Sequence, residues 1–177
     1  MTDENRPDMS CVPYHRKELY FSLTVPFLLL LIVILVYLWT IRFVLAVVFA
    51  LLYLLMCFFQ AYCCVYQGCP YVGGFCPAII GIMPASLLAK LLYGNERVVK
   101  SKGLFELNAI LAIICWLGLI SFPLHWIGQL GKVFFVGYIF SHVVYVVIFV
   151  ITICPACAIR KICPGGRFGS IFWKSRE

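Results

Sequence analysis

The chain has 177 residues, 64% of them hydrophobic and 12% charged, with a mean hydropathy of +1.02. So little polar surface cannot cover a water-soluble core, which excludes a soluble globular domain and leaves the bilayer as the expected solvent. The net charge of +7 lies outside the apolar runs, and no basic segment is interleaved with a base-stacking or groove-reading pattern, so nucleic acid is not an expected partner.

Residues 1–19 form a polar tail with both signs of charge, without the positive start, short apolar run and small-residue cleavage site of a signal peptide. The first apolar run is therefore expected to stay in the mature protein. Four runs are long enough to cross about 30 Å of hydrocarbon as helices: residues 20–39, 43–61, 104–122 and 133–153. Backbone groups cannot stay unpaired in lipid, and no segments of alternating hydropathy suggest a barrel, so the spans are expected to be helical. Only Thr40, Ile41 and Arg42 separate the first two, which predicts a tight hairpin.

After the second span comes a cysteine-rich loop, Tyr62 to Cys76, and then an apolar stretch broken by Gly81 and Pro84. Pro84 to Tyr93 reads as an interfacial helix: proline suits a first turn, Gly94 and Asn95 suit its stop, and Lys90 can snorkel to the headgroups. A re-entrant loop is the alternative. Between spans three and four, Ser121 to Gly131 contains Pro123, His125, Trp126 and two glycines, and reads as a short loop with an interfacial tryptophan.

The fold class expected is all-α integral membrane: a four-transmembrane-helix bundle of two helical hairpins, each followed by a cytoplasmic Cys/Pro/Gly-rich loop, plus the short interfacial helix. The segments are a tail (1–19), hairpin one (20–61), a cysteine-rich loop with the interfacial helix (62–103), hairpin two (104–153) and a basic cysteine-rich tail (154–177). Alternation places the first, third and last on one face with twelve of the fourteen basic residues, leaving only Arg42 and Lys132 opposite. The positive-inside rule makes the basic face cytoplasmic, with both termini there and anionic lipid headgroups as natural contacts.

Seven of the ten cysteines fall in the two loops: Cys63, Cys64, Cys69 and Cys76 after span two, and Cys154, Cys157 and Cys163 after span four. The loops read as a loose duplication, since each carries Cys-Pro steps and a Gly-Gly pair; a parallel repeat would bring them together about an axis along the membrane normal. Cytoplasmic thiols are not expected to be held as structural disulfides. Cys154 and Cys157 at Cys-x2-Cys spacing let two thiolates reach one ion, and Cys163 follows as a third ligand. A tetrahedral thiolate site for zinc or an iron-sulfur cluster then needs at least one ligand from Cys64, Cys69 or Cys76.

Two other chemistries compete for these residues. The thiols could be S-acylated or simply pack as small apolar groups, in a membrane scaffold or small transporter. Alternatively, Cys154-Pro-Ala-Cys157 on four spans resembles the vitamin K epoxide reductase family in helix count and dithiol, which implies thiol-disulfide exchange between Cys154 and Cys157. That family's dithiol faces the oxidising side, whereas this one is expected in the cytoplasm. A redox or metal-carrier protein is the partner class implied, and a lone four-helix chain that translocated ions would have to form a homo-oligomer to enclose a path.

Within the spans, His142 lies near the middle of the fourth, and an intramembrane ionisable group is by default a functional candidate. The plainer reading is a neutral imidazole bonded to Ser141, Tyr138, Tyr145 or a facing helix. Cys115, at similar depth in span three, is a candidate polar partner. Glu106 and Asn108 open span three, where a carboxylate near a helix N-terminus is electrostatically favoured. No paired acids, Ser-His-Asp set, Walker loop or His-Glu-x2-His motif is present, so hydrolase and ATPase classes recede.

Overall fold

A computed structural model describes residues 17–66, 82–93 and 101–156. Among them run six α-helices and a terminal 3-10 turn: α1 (Lys17–Ile41), α2 (Phe43–Tyr66), α3 (Ile82–Tyr93), α4 (Lys102–Ser121), α5 (Leu124–Leu130), α6 (Lys132–Thr152) and the turn Cys154–Ala156. Four helical runs are long and apolar enough to cross a membrane: α1, α2, α4 with its continuation α5, and α6. The described residues include no strand.

Packing follows a narrow inward stripe on each long helix. In α1 the buried residues are Tyr20, Thr24, Phe27, Leu31, Ile34 and Leu38, spaced alternately four and three apart. The same rhythm recurs in α6 with Tyr138, His142, Tyr145 and Phe149, and in α4 with Ala112, Cys115 and Leu119. This seam of about two residues in seven is the pattern by which helices interdigitate side chains along their length. Outside it the helices stay apolar, as at Val33, Val44 and Phe140, each more than 60% exposed. A lipid environment rather than a protein layer would cover such faces.

Helix α2 is central, packing against α1, α3 and α4, while α1 also packs on α6 and α5 touches both α4 and α6. Ring contacts fix which ends meet. Tyr20 of α1 meets Phe149 of α6 edge to face at 6.0 Å, and Tyr66 of α2 stacks on Phe105 of α4 at 4.7 Å. At the other end, Tyr37 Oη of α1 donates to the Trp126 carbonyl of α5 at 3.1 Å, and Tyr138 Oη of α6 donates to the Ile120 carbonyl of α4 at 3.2 Å. The four long helices therefore alternate in direction, and the start of α1, the end of α2, the start of α4 and the end of α6 share one end of the bundle. We call this the cysteine-rich end.

Four boundaries differ from the sequence-based expectation. Helix α1 begins at Lys17 and continues to Ile41, so Arg42 alone separates it from α2; the Arg42 amide still bonds the Leu38 carbonyl at 3.0 Å. Helix α2 runs to Tyr66, which places Cys63 and Cys64 on its last turns rather than in a loop. At about 1.5 Å per residue its 24 residues outreach the hydrocarbon by roughly 6 Å, so the helix carries these thiols toward the headgroups without unwinding. Helix α3 starts at Ile82, two residues before Pro84.

The fourth difference is α5, a helix where Pro123 and the two glycines suggested a loop. Phe122 and Pro123 both keep right-handed helical backbone angles, so the chain passes from α4 into α5 with little more than a lost hydrogen bond. Proline suits that junction because the first residues of a helix need no N–H of their own. The Leu119 carbonyl, four residues earlier, is denied a donor by Pro123, and the Tyr138 hydroxyl lies 3.4 Å from it as well as bonding Ile120. Buried Ile127 anchors α5, and Gly131, at φ 130° and ψ 161°, turns the chain into α6.

Candidate functional site

The cysteine-rich end is assembled from the last turns of α2 and α6. Cys63 and Cys64 are half-buried on α2, and Cys154 is half-buried in the turn after α6, following fully buried Ile153. Cys64 and Cys154 both pack against the one hydrophobic core cluster, in which Tyr20 and Phe149 lie at this end of the bundle. Helix α3 adds Tyr93, whose ring meets Tyr62 of α2 at 6.0 Å. The chain segments carrying Cys69 and Cys76, and those carrying Cys157 and Cys163, thus leave from the same end, though these four cysteines lie outside the described residues, as does Cys11. Among the described residues, no three Cys, His, Asp or Glu side chains come together as a metal-binding group.

The edge charges at this end have local roles. Lys102 and Glu106 form an exposed i,i+4 pair at 3.8 Å, the kind of surface contact that adds little stability. Asn108 Nδ2 donates to the Leu104 carbonyl at 2.7 Å, again within α4. At the far end, exposed His125 contacts Gln129 at 3.3 Å on α5, well away from the buried histidine.

A second polar region lies inside the bundle. His142, 4% exposed, is held edge-on to Phe27 at 4.8 Å and to Tyr138 at 4.3 Å, while Phe27 stacks flat on Tyr145 at 4.0 Å. Its Nδ1 lies 3.0 Å from the Tyr138 carbonyl one turn earlier. A carbonyl only accepts, so Nδ1–H is the donor, and in the neutral ring Nε2 carries the lone pair. The expected imidazole bond to Tyr138 is therefore present, through the backbone and on the same helix.

No family model, curated protein or solved structure matches this chain. Its chemistry must be read from the side chains themselves. Cys115 is buried in α4 but makes no hydrogen bond to His142 among the described residues, so the proposed pairing of the two is not formed. Within the bundle, Cys57 of α2 is fully buried and bonded to the Tyr53 hydroxyl one turn earlier.

Sequence reading passed over the atoms that matter most here. Thr24 Oγ1, Gln60 Oε1, Trp116 Nε1 and His142 Nε2 are all buried with no protein hydrogen-bond partner among the described residues, one from each of α1, α2, α4 and α6. A buried polar atom without a partner costs about 1–3 kcal/mol, so these four are a substantial cost for a structure to retain. Apart from His142, no signal in the sequence marks them. Threonine, glutamine and tryptophan are ordinary in membrane helices, and only the packing shows which ones turn inward.

Proposed function

We propose that this is a multi-pass membrane protein that holds a metal ion or an iron-sulfur cluster at its cytoplasmic, cysteine-rich end, for electron transfer or metal handling. The observation that supports this reading is that the end of α2, with Cys63 and Cys64, and the end of α6, followed by Cys154, lie at the same end of the bundle. In the proposed site Cys154, Cys157 and Cys163 supply thiolates from the segment after α6. Cys64, Cys69 or Cys76 completes the set from the segment after α2. Four thiolates suit zinc or an iron-sulfur cluster, and the Gly-Gly pairs beside them would let backbone amides approach sulfur.

Two helical hairpins with both termini in the cytoplasm are the topology this requires. Exposed Lys17, Lys90 and Lys102 at the cysteine-rich end support that orientation, as does the density of basic residues in the flanking segments. Anionic headgroups are then the first partners of this face, and a soluble redox or metal-carrier protein is the class that would exchange with the site.

Anaerobic purification followed by elemental analysis and an optical spectrum tests the reading. The expected result is stoichiometric zinc without visible absorption, or iron with it, lost in a Cys154→Ser/Cys157→Ser variant that still enters the membrane. A metal-free protein that takes up neither zinc nor iron, with all cytoplasmic-face thiols thioesterified or freely alkylated, would overturn it in favour of an acylated or inert cysteine set.

A further inference from the structure

We propose that α3 is a re-entrant half-helix that enters the hydrocarbon alongside α2, with its Lys90 end at the headgroups of the cysteine-rich side and its Ile82 end near the middle of the bilayer. Its outer face, at Leu87 and Leu91, is then a contact surface for phospholipid acyl chains. This is independent of whether the cysteines bind metal.

The first argument is where α3 can pack. Its last residue, Tyr93, meets Tyr62 of α2 edge to face at 6.0 Å, and α2 ends at Tyr66, four residues further on. A helix running outward from that level would soon have no α2 beside it, and one lying flat on the membrane would cross α2 at a single point. Yet α3, with 12 residues, packs on α2 more extensively than the 25-residue α1 does. It must therefore run alongside the part of α2 that precedes Tyr62, which is the part inside the bilayer.

The second argument is burial. Ala89 of α3 and Ala61 of α2 are both 0% exposed, and small residues on neighbouring helices let two backbones approach closely. Leu88 packs against the hydrophobic core cluster, whose α2 members, Ala46, Phe49, Met56 and Cys57, all lie deeper than Tyr62. At about 1.5 Å per residue Ile82 lies roughly 16 Å below Tyr93, about half the thickness of the hydrocarbon. The other face is open, with Leu87 54% and Leu91 81% exposed.

The third argument is composition. A helix that lies in the interface needs a polar face along its length. In α3 the only charge is Lys90, in the last turn, and residues 82–89 carry no polar side chain except Ser86. Lys90 is exposed and about 5 Å from the Tyr93 end, so its side chain reaches headgroup phosphates by snorkelling. Pro84, third in the helix, removes one of the N–H groups that a helix start leaves unpaired, which suits a start within hydrocarbon.

Photolabelling of the unmodified chain in bilayers tests this. Two phosphatidylcholines are used, one with a diazirine at the end of an acyl chain and one with a diazirine on the headgroup, and the adducts are mapped by peptide mass spectrometry. Exposed Ile114 of α4 and Val143 of α6, each near mid-span, report that the acyl-end probe reaches the bilayer centre. The ratio of acyl-end to headgroup labelling should rise at least threefold from residues 90–93 to residues 82–85, toward the ratio at Ile114 and Val143. A smaller rise, or headgroup labelling that predominates at 82–85, would overturn the proposal. No residue is replaced, so neither outcome depends on a variant folding, and the metal reading is decided separately by elemental analysis.

Discussion

Replacing Tyr138 with phenylalanine isolates one hydroxyl group whose role is set by a proline on another helix. Pro123 has no N–H, so the Leu119 carbonyl loses the donor that would continue α4 into α5, and Tyr138 Oη lies 3.4 Å from that oxygen and 3.2 Å from the Ile120 carbonyl. Both distances are at the long end of the hydrogen-bond range, and interhelical bonds in membranes average about 0.6 kcal/mol with a maximum near 1.7. Taking both acceptors together, Tyr138→Phe should cost about 1 kcal/mol, or roughly fivefold in the folding equilibrium. The decisive version is a double-mutant cycle. Pro123→Ala restores an N–H to a backbone already helical at positions 122 and 123, so in that background the loss from Tyr138→Phe should fall to about half or less. Reversible unfolding in mixed micelles, followed by tryptophan fluorescence, supplies all four stabilities. An identical loss in both backgrounds would refute the idea that the tyrosine stands in for the missing amide.

Gly131 holds φ 130° and ψ 161°, a combination open to glycine alone, so Gly131→Ala should destabilise by about 1–3 kcal/mol, whereas Gly137→Ala, where an added Cβ meets nothing within 4 Å, should not. Thermal denaturation of the two variants side by side checks this. The stacked Tyr66 and Phe105 rings predict that a Tyr66→Cys/Phe105→Cys variant forms a mapped disulfide under mild oxidation, while Trp39→Cys/Phe105→Cys, with its residues at opposite ends of the bundle, does not.

The number and position of the spans were legible because each is a long apolar run, free of charge except for Glu106 near the start of the third. The placement of Cys63, Cys64 and Cys154 at one end followed from counting crossings. Details of the edges were not legible. Cys63 and Cys64 read as loop residues because Tyr62 onward looks polar and cysteine-rich, yet the helix persists to Tyr66 since nothing in that stretch breaks it. Helix α5 was hidden by Pro123, Gly128 and Gly131, residues whose usual meaning is a turn but of which only Gly131 adopts backbone angles that require glycine. The inward-facing polar atoms were the least visible of all. In a soluble helix the polar face announces which side is buried, but in lipid both faces are apolar, so nothing along α1 distinguishes Thr24 from its neighbours until α6 is packed against it.

One residue of connector between α1 and α2 constrains how the chain can be inserted during synthesis. With Arg42 alone at the tip, the first helix cannot be committed to the bilayer and left to wait while the second is still being threaded. Helices joined so tightly are expected to partition from the translocon as one paired unit, and in the proposed orientation the guanidinium at the bend would be carried across with them. Lengthening that bend would uncouple the two steps, and the orientation of everything downstream would then depend on basic residues that the chain has not yet exposed to the membrane.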